Sequence, residues 1–416
     1  MPVFRRSVSL RMQHVRLVLD LSAGVVRNRT PSRKPGGRPA TYELGDGKPP
    51  GRQAIRQWRT EQRRKGTNSE AGDLTDGSTT RPQGPARQEE IPIFFVTGAG
   101  KSGTTWFRRM LDHHPEVMCK DEGWFFGRNV RYENNKRMET DAEGRTLRPA
   151  SLYNALAEDE YLRMWLERTP WTRDGDVEEH LADLTREAVR LFLTKKLSRS
   201  AKRVVGDKSP LLSAGVVGEI GAIMPEAKVI HVIRDGRDRA VSWMHHIWNR
   251  QLPTEEGGNL EPEERDKRDR YREAPEAFLA SGESIFTKKR IRTASLTWAL
   301  NVGSARRQGL RLLGNGRYAE VRYEDLLERP EQELRRIFRF LGVSAGKRVV
   351  KRSVMAEGFE RRSGGRERGE EDSTSARRKG VAGDWKNVFT ERDKAIFKEF
   401  AGELLIELGY EKDNSW

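Results

Sequence analysis

The chain has 416 residues, enough for one large domain or two ordinary ones. Its single cysteine, Cys119, excludes an internal disulfide, and no apolar run approaches the roughly 18 residues of a membrane-spanning helix, so the expectation is a cytoplasmic protein without a transmembrane segment. The formal net charge of +16 invites a nucleic-acid reading, but 18 basic against 9 acidic residues lie in 1–90 and 60 against 53 in 91–416, so more than half of the excess sits in the first fifth and no nucleic-acid partner is expected.

Residues 1–90 are rich in Pro, Gly, Ser, Thr and Arg and read as a disordered basic tail or a targeting segment. Disorder is expected over 30–88, with a short amphipathic helix at Val15–Val26. Asp20 interrupts the apolar stretch and argues against a secretory signal. An extension from a misassigned start codon is an equal alternative to targeting.

Beyond Glu90, strand and helix signals alternate, which implies a parallel sheet. Ile93-Phe94-Phe95-Val96 reads as a buried strand. Thr97-Gly98-Ala99-Gly100-Lys101-Ser102-Gly103-Thr104-Thr105-Trp106 follows as a glycine-rich turn into a helix whose apolar face carries Trp106, Phe107, Met110 and Leu111. The free N–H groups of that helix start, with the Lys101 ammonium, suit a phosphate-like anion. A nucleoside-triphosphate P-loop, G-x-x-x-x-G-K-[ST], would need glycine at position 95, where Phe95 stands. After that helix come His113-His114-Pro115-Glu116-Val117-Met118-Cys119-Lys120-Asp121-Glu122. Segment 151–200 reads as helices with Leu181, Leu184, Val189, Leu191 and Phe192 on apolar faces, and Val204–Pro210 holds Asp207 and Lys208.

Val216–Met224 reads as a helix stopped by Pro225. Lys228–Ile233 reads as a second buried strand, ending in Arg234-Asp235-Gly236-Arg237-Asp238-Arg239 and running into a helix with Ser242 and Trp243. Arginines at the carboxyl end of a strand suit a second anion at an α/β crevice. Asp235 and Asp238 either orient those arginines or cap the helix. Residues 252–276 and 357–378 read as mobile polar insertions. Tyr318–Tyr323 is a strand, Pro330 opens a helix bearing Leu334, Ile337, Phe338 and Leu341, and Thr390 to Asp393 reads as a capping box before the last helix. The adjacent pairs His113/His114 and His245/His246 split across a helix surface, so no metal site is expected.

Three of these stretches together resemble the sulfotransferases that use 3′-phosphoadenosine 5′-phosphosulfate (PAPS). Lys101-Ser102-Gly103-Thr104-Thr105-Trp106 resembles their 5′-phosphosulfate loop. Arg234 and Ser242, eight positions apart, resemble their 3′-phosphate segment, and Arg378-Lys379-Gly380-Val381-Ala382-Gly383-Asp384-Trp385-Lys386-Asn387-Val388-Phe389 resembles their R-K-G-x-x-G-D-W-K-N-x-F element. The resemblance implies a three-layer α/β sandwich with a central parallel sheet, P-loop NTPase-like, over 91–416. It implies that Lys101, Ser102, Gly103, Thr104, Thr105, Arg234, Ser242, Arg378, Lys379 and Gly380 hold the nucleotide, that Trp106 stacks on adenine or packs in the core, and that Asp384, Trp385 and Asn387 fasten the last loop. Tyr323, in a Tyr-Glu-Asp-Leu element, is near the adenosine or structural.

The chain departs from the cytosolic branch, whose Lys-Thr-His becomes Asp207-Lys208-Ser209 here, without the histidine base. Glu122 lies 21 positions after Lys101, the separation seen in carbohydrate and tyrosyl-protein sulfotransferases, and is the expected base, with Asp121 its rival. Lys208 either stabilises sulfuryl oxygens or merely pairs with Asp207. No metal is implied, and the acceptor is expected to be a small-molecule or carbohydrate hydroxyl, or an amine. The stretch 357–378 is expected to be a lid ordered by nucleotide. Two other classes stay open: a kinase or hydrolase on a related fold, dependent on magnesium and ATP, and a non-catalytic basic protein that binds RNA or a partner through its tail. Oligomeric state is not legible.

Overall fold

Five short strands, β1 (Ile93–Thr97), β2 (Val117–Asp121), β3 (Val204–Lys208), β4 (Lys228–Ile233) and β5 (Tyr318–Arg322), form one parallel sheet in the order β2-β3-β1-β4-β5. The computed structural model describes residues 91–127, 151–172, 175–211, 213–249, 260–372, 375 and 378–416. The expectations for residues 1–90 lie outside them, as do 252–259 of the first polar insertion and 373–374 and 376–377 of the second. Every residue of β1 is buried, as a central parallel strand requires when helices cover both faces. Alternation along β1 assigns the two faces. Ile93 and Phe95 join Val205, Val229 and Leu181 in one core, whereas Phe94 and Val96 join Phe107, Leu111, Leu334 and Phe338 in another. The result is the expected three-layer α/β sandwich.

The helices that shape the site are α1 (Thr104–Asp112), α2 (Val177–Leu197), α3 (Gly236–Asn249), α4 (Pro262–Glu273), α5 (Lys288–Gln308), α6 (Tyr323–Glu328), α7 (Pro330–Leu341), α8 (Phe359–Ser363) and α9 (Glu391–Glu407). Helix α7 starts at Pro330 and buries Leu334, Ile337, Phe338 and Leu341, as expected. Thr390 and Asp393 form the expected capping box on α9, each side chain accepting from the other's backbone N–H. No helix among the described residues is long and apolar enough to cross a membrane.

Two expectations need correction. Helix α2 buries Leu181, Thr185, Val189, Leu193 and Leu197, one stripe at every fourth position, while Leu184, Leu191 and Phe192 are exposed. Thr185 fits that stripe because its hydroxyl donates to the Leu181 carbonyl at 2.7 Å, which removes the cost of burying it. The second correction concerns 262–276, which is largely ordered helix instead of a mobile insertion. In α4, Glu264, Lys267 and Tyr271 are buried; Glu264 takes two bonds from Arg290 at 2.7 Å, and Lys267 donates to Glu283 at 2.8 Å. Composition alone did not reveal partners so distant in sequence.

Candidate functional site

All five strands deliver a candidate residue at their carboxyl ends, where open parallel sheets bind ligands. Lys101 lies on the turn after β1, Glu122 immediately follows β2, Lys208 ends β3, Arg234 follows β4 and Tyr323 follows β5.

The turn after β1 is tightly constrained. A Cβ at Gly98 would stand 2.6 Å from the Val232 carbonyl oxygen, and Gly103, the N-cap of α1, has φ +85° with the Tyr323 ring against it. Lys101 itself sits at φ +73°, a left-handed conformation that is costly for a residue with a Cβ. The chain that follows β4 fixes this turn. Arg239, buried, donates to the Gly100 carbonyl at 3.0 Å, and burial lowers its guanidinium pKa to about 10. Arg234 donates to the Lys101 carbonyl at 3.1 Å and to the Val381 carbonyl at 3.4 Å, while its guanidinium lies 4.4 Å from the Tyr323 ring centroid. Arg234 therefore joins the turn after β1, the residue that follows β5 and the stretch at Val381.

The last segment is clasped by Asp238. One carboxylate oxygen accepts from the Gly383 N–H at 2.6 Å and the other from the Trp385 N–H at 2.9 Å. Asp235 instead holds Arg237, taking its backbone N–H and its guanidinium. Arg237 in turn lies 3.8 Å from the Trp385 ring centroid. Asp235 fills both expected roles, orienting the Arg237 guanidinium and capping α3 through the Arg237 N–H, whereas Asp238 does something sequence did not suggest: it binds a loop 145 residues away. Within that loop Asp384 accepts from Arg378, from Lys379 at 3.0 Å and from Asn387 at 3.4 Å. Burial opposes the Asp384 charge, but the two cations outweigh it and hold the carboxyl at about 2.

These segments enclose one cavity of about 330 Å³. Lys101, Gly103, Thr104, Thr105 and Trp106 line it from the first segment, Arg234 and Ser242 from the second, and Arg378, Lys379 and Gly380 from the third, with Tyr323 between them. Ser102 is the exception. It is fully buried, its hydroxyl finds no partner among the described residues, and it does not line the cavity. Sequence reasoning missed Arg109, Phe359, Arg362 and Arg368, which also line it. Arg362 and Arg368 belong to the stretch expected to be a lid, and their charge was the available signal. Among the described residues the lining carries seven basic side chains and one carboxylate, Glu357. Trp106 is half-buried: it packs against the Phe107 and Leu111 core, lines the cavity, and its indole N–H donates to the Glu357 carbonyl at 2.9 Å, tying α1 to the stretch before α8.

Beside the cavity, Lys208 reaches across to Thr105 at 3.1 Å and to Glu122 at 2.6 Å. Lys208 is thus paired with Glu122, not with its neighbour Asp207. Asp121 is 3.4 Å from the same ammonium but is also engaged by Arg108. Glu122 has φ +31°, and the backbone of its turn is held from β3: its N–H donates to the Lys208 carbonyl at 3.2 Å, and the Gly123 N–H donates to Asp207 at 2.8 Å. Burial pushes the Asp207 carboxyl up to about 6, although Ser209 and Gly123 donate to it. No group of three His, Cys, Asp or Glu among the described residues is placed to hold a metal ion. His113 turns to Glu357 and His114 to the Ser344 carbonyl.

Comparisons with known proteins bear on this arrangement. A family model described as "Sulfotransferase family" matches residues 92–346. That match holds the first two segments and ends before the third. The curated protein-tyrosine sulfotransferase 2 of Gallus gallus is 24% identical over 256 residues, 62% of this chain and 52% of its own length. The protein-tyrosine sulfotransferase of Drosophila melanogaster is 24% identical over 255 residues, 61% of this chain and 38% of its own. The chain therefore spans about half or less of these two relatives. Among solved structures, mouse sulfotransferase SULT7A1 complexed with PAP is 17% identical, covering 76% of this chain and 84% of that one at a TM-score of 0.39.

Proposed function

This chain belongs to the sulfotransferase family, and from that premise we propose that it transfers the sulfuryl group of PAPS to an acceptor hydroxyl. The observation that carries the reading is the gathering of Lys101, Arg234, Arg378 and Lys379, from three separate segments, on one cavity. A ligand with phosphates on the 3′ and 5′ positions of an adenosine's ribose fits that lining: it brings several negative charges and one aromatic base, and the wall offers cations, hydroxyls, Trp106 and Tyr323.

Lys101, Thr104 and Thr105 take the 5′ end in this reading, and Arg234, Ser242, Arg378, Lys379 and the Gly380 N–H take the 3′-phosphate. Sulfuryl transfer resembles phosphoryl transfer, with a loose in-line transition state, so the protein chiefly positions the reactants and neutralises charge. Glu122 removes the acceptor proton as the acceptor oxygen bonds to sulfur and the bond from sulfur to the phosphate oxygen breaks. Lys208, bridging Glu122 and Thr105, stands to stabilise the charge that builds on the moving group. The acceptor is an alcohol or phenol; because the chicken and fly relatives are named for protein tyrosine, tyrosyl peptides belong in the acceptor screen beside carbohydrates and lipids.

Thermal melting tests the nucleotide half. Adenosine 3′,5′-bisphosphate (PAP) at 100 times its dissociation constant should add about 2.7 kcal/mol of stability. AMP and ATP at the same concentration should add much less. Equal or greater stabilisation by ATP with magnesium would favour the kinase or hydrolase class.

A further inference from the structure

The two cations expected to meet the 3′-phosphate already share a carboxylate from outside their own segment. Glu371 places one oxygen 2.9 Å from Arg378 and the other 2.9 Å from Lys379. Asp384 also binds both, but the two carboxylates differ. The Asp384 side chain is 5% exposed and accepts from Asn387 within its own short turn, so it is a fixture of the loop. The Glu371 side chain is 26% exposed and comes from the stretch just ahead of the segment, seven residues before Arg378. Two backbone bonds tie that stretch to the backbone of the two cationic residues, Gly369 N–H to the Lys379 carbonyl at 2.9 Å and Asp372 N–H to the Arg378 carbonyl at 3.0 Å. Tyr271 of α4 donates to Glu371 from behind at 3.4 Å.

One oxygen on each cation is also how a phosphate would engage the pair, since both anions need the same N–H donors. With two carboxylates on these two cations their charge is balanced, so Arg378 and Lys379 add little attraction for an arriving 3′-phosphate while Glu371 stays. We propose that Glu371 is an internal counter-ion that competes with the 3′-phosphate for Arg378 and Lys379 and sets the affinity of the nucleotide. Nucleotide binding displaces its carboxylate, and its return favours departure of the product, which keeps both phosphates. The inference rests on the nucleotide reading above.

Calorimetric titration of the full chain with PAP and with AMP separates the two. Glu371→Gln should bind PAP about fivefold tighter, the scale of two partly exposed ion pairs, and bind AMP with unchanged affinity. Glu371→Ala should behave likewise and guards against the glutamine amide retaining a bond. Weaker or unchanged PAP binding in both variants, or equal tightening of PAP and AMP, overturns the competition. A wild type that does not prefer PAP to AMP overturns the nucleotide reading itself, and the counter-ion role with it.

Discussion

Glu122 owes its position to its neighbours more than to its own preferences. Its turn is held in the left-handed region by the Glu122 and Gly123 N–H groups, which donate to the Lys208 carbonyl and the Asp207 carboxylate, and its carboxylate is met by the Lys208 ammonium. Glu122→Gln should leave PAP binding intact and lower turnover by about 10²–10⁴-fold, the usual worth of a general base. Retained turnover in a labelled sulfuryl-transfer assay would move that role elsewhere, first to Asp121. Asp207 adds a pH signature. Its folded carboxyl titrates near 6, above the ordinary value, so the folded state holds its proton where the unfolded chain has lost it. The stability tied to that proton is present below about pH 4 and is lost as pH rises through 6. The buried His231 and His245, both lowered to about 3, act oppositely, costing stability as pH falls from 6.5 toward 3. Comparison with Asp207→Asn isolates the first effect: the stability of wild type relative to the variant should fall by about 2–3 kcal/mol between pH 4 and 7 in urea titrations. A flat difference would show that Asp207 ionises as an ordinary carboxylate.

At the scale of elements, the strands and glycine turns were legible, because burial on both faces leaves an unbroken apolar run and because turns without a Cβ advertise close approach. Gly98 shows the limit of tolerance there: Gly98→Ala drives a methyl into the β4 backbone and should cost more than about 1 kcal/mol, read as a lower denaturation midpoint. What sequence hid was pairing at a distance. The exposed side of α2 and the buried charges of α4 have the residue types expected of the opposite environments, and only the neighbouring elements decide which prevails. Asp238 belongs to the same class. Its two bonds to the Gly383 and Trp385 N–H groups hold the third segment against α3. Asp238→Ala leaves both donors without that acceptor, which should cost about 1–3 kcal/mol. PAP binding should weaken with it, whereas AMP, lacking the 3′-phosphate, should be affected less.

At the scale of the molecule, a sheet whose strands all run one way brings residues from 101 to 323 to a common edge, and Arg234 and Asp238 hold the 378–385 stretch against it. The motif segments were visible singly; the topology explains the convergence of those that follow strands, and long-range hydrogen bonds explain that of the last. Arg109, Arg362 and Arg368 were not visible as parts of the site, since nothing in a charged helix or a glycine-rich stretch says which arginine will face a cavity. In the nucleotide reading, this wall recognises the position of a phosphate and not merely negative charge. Titration with adenosine 3′,5′-bisphosphate and its isomer adenosine 2′,5′-bisphosphate, equal in charge and composition, tests it directly. The 3′ isomer should bind at least about tenfold tighter, a difference of about 1.4 kcal/mol, and Arg234→Ala should erase most of that margin. Equal affinity for the two isomers would contradict a built 3′-phosphate site.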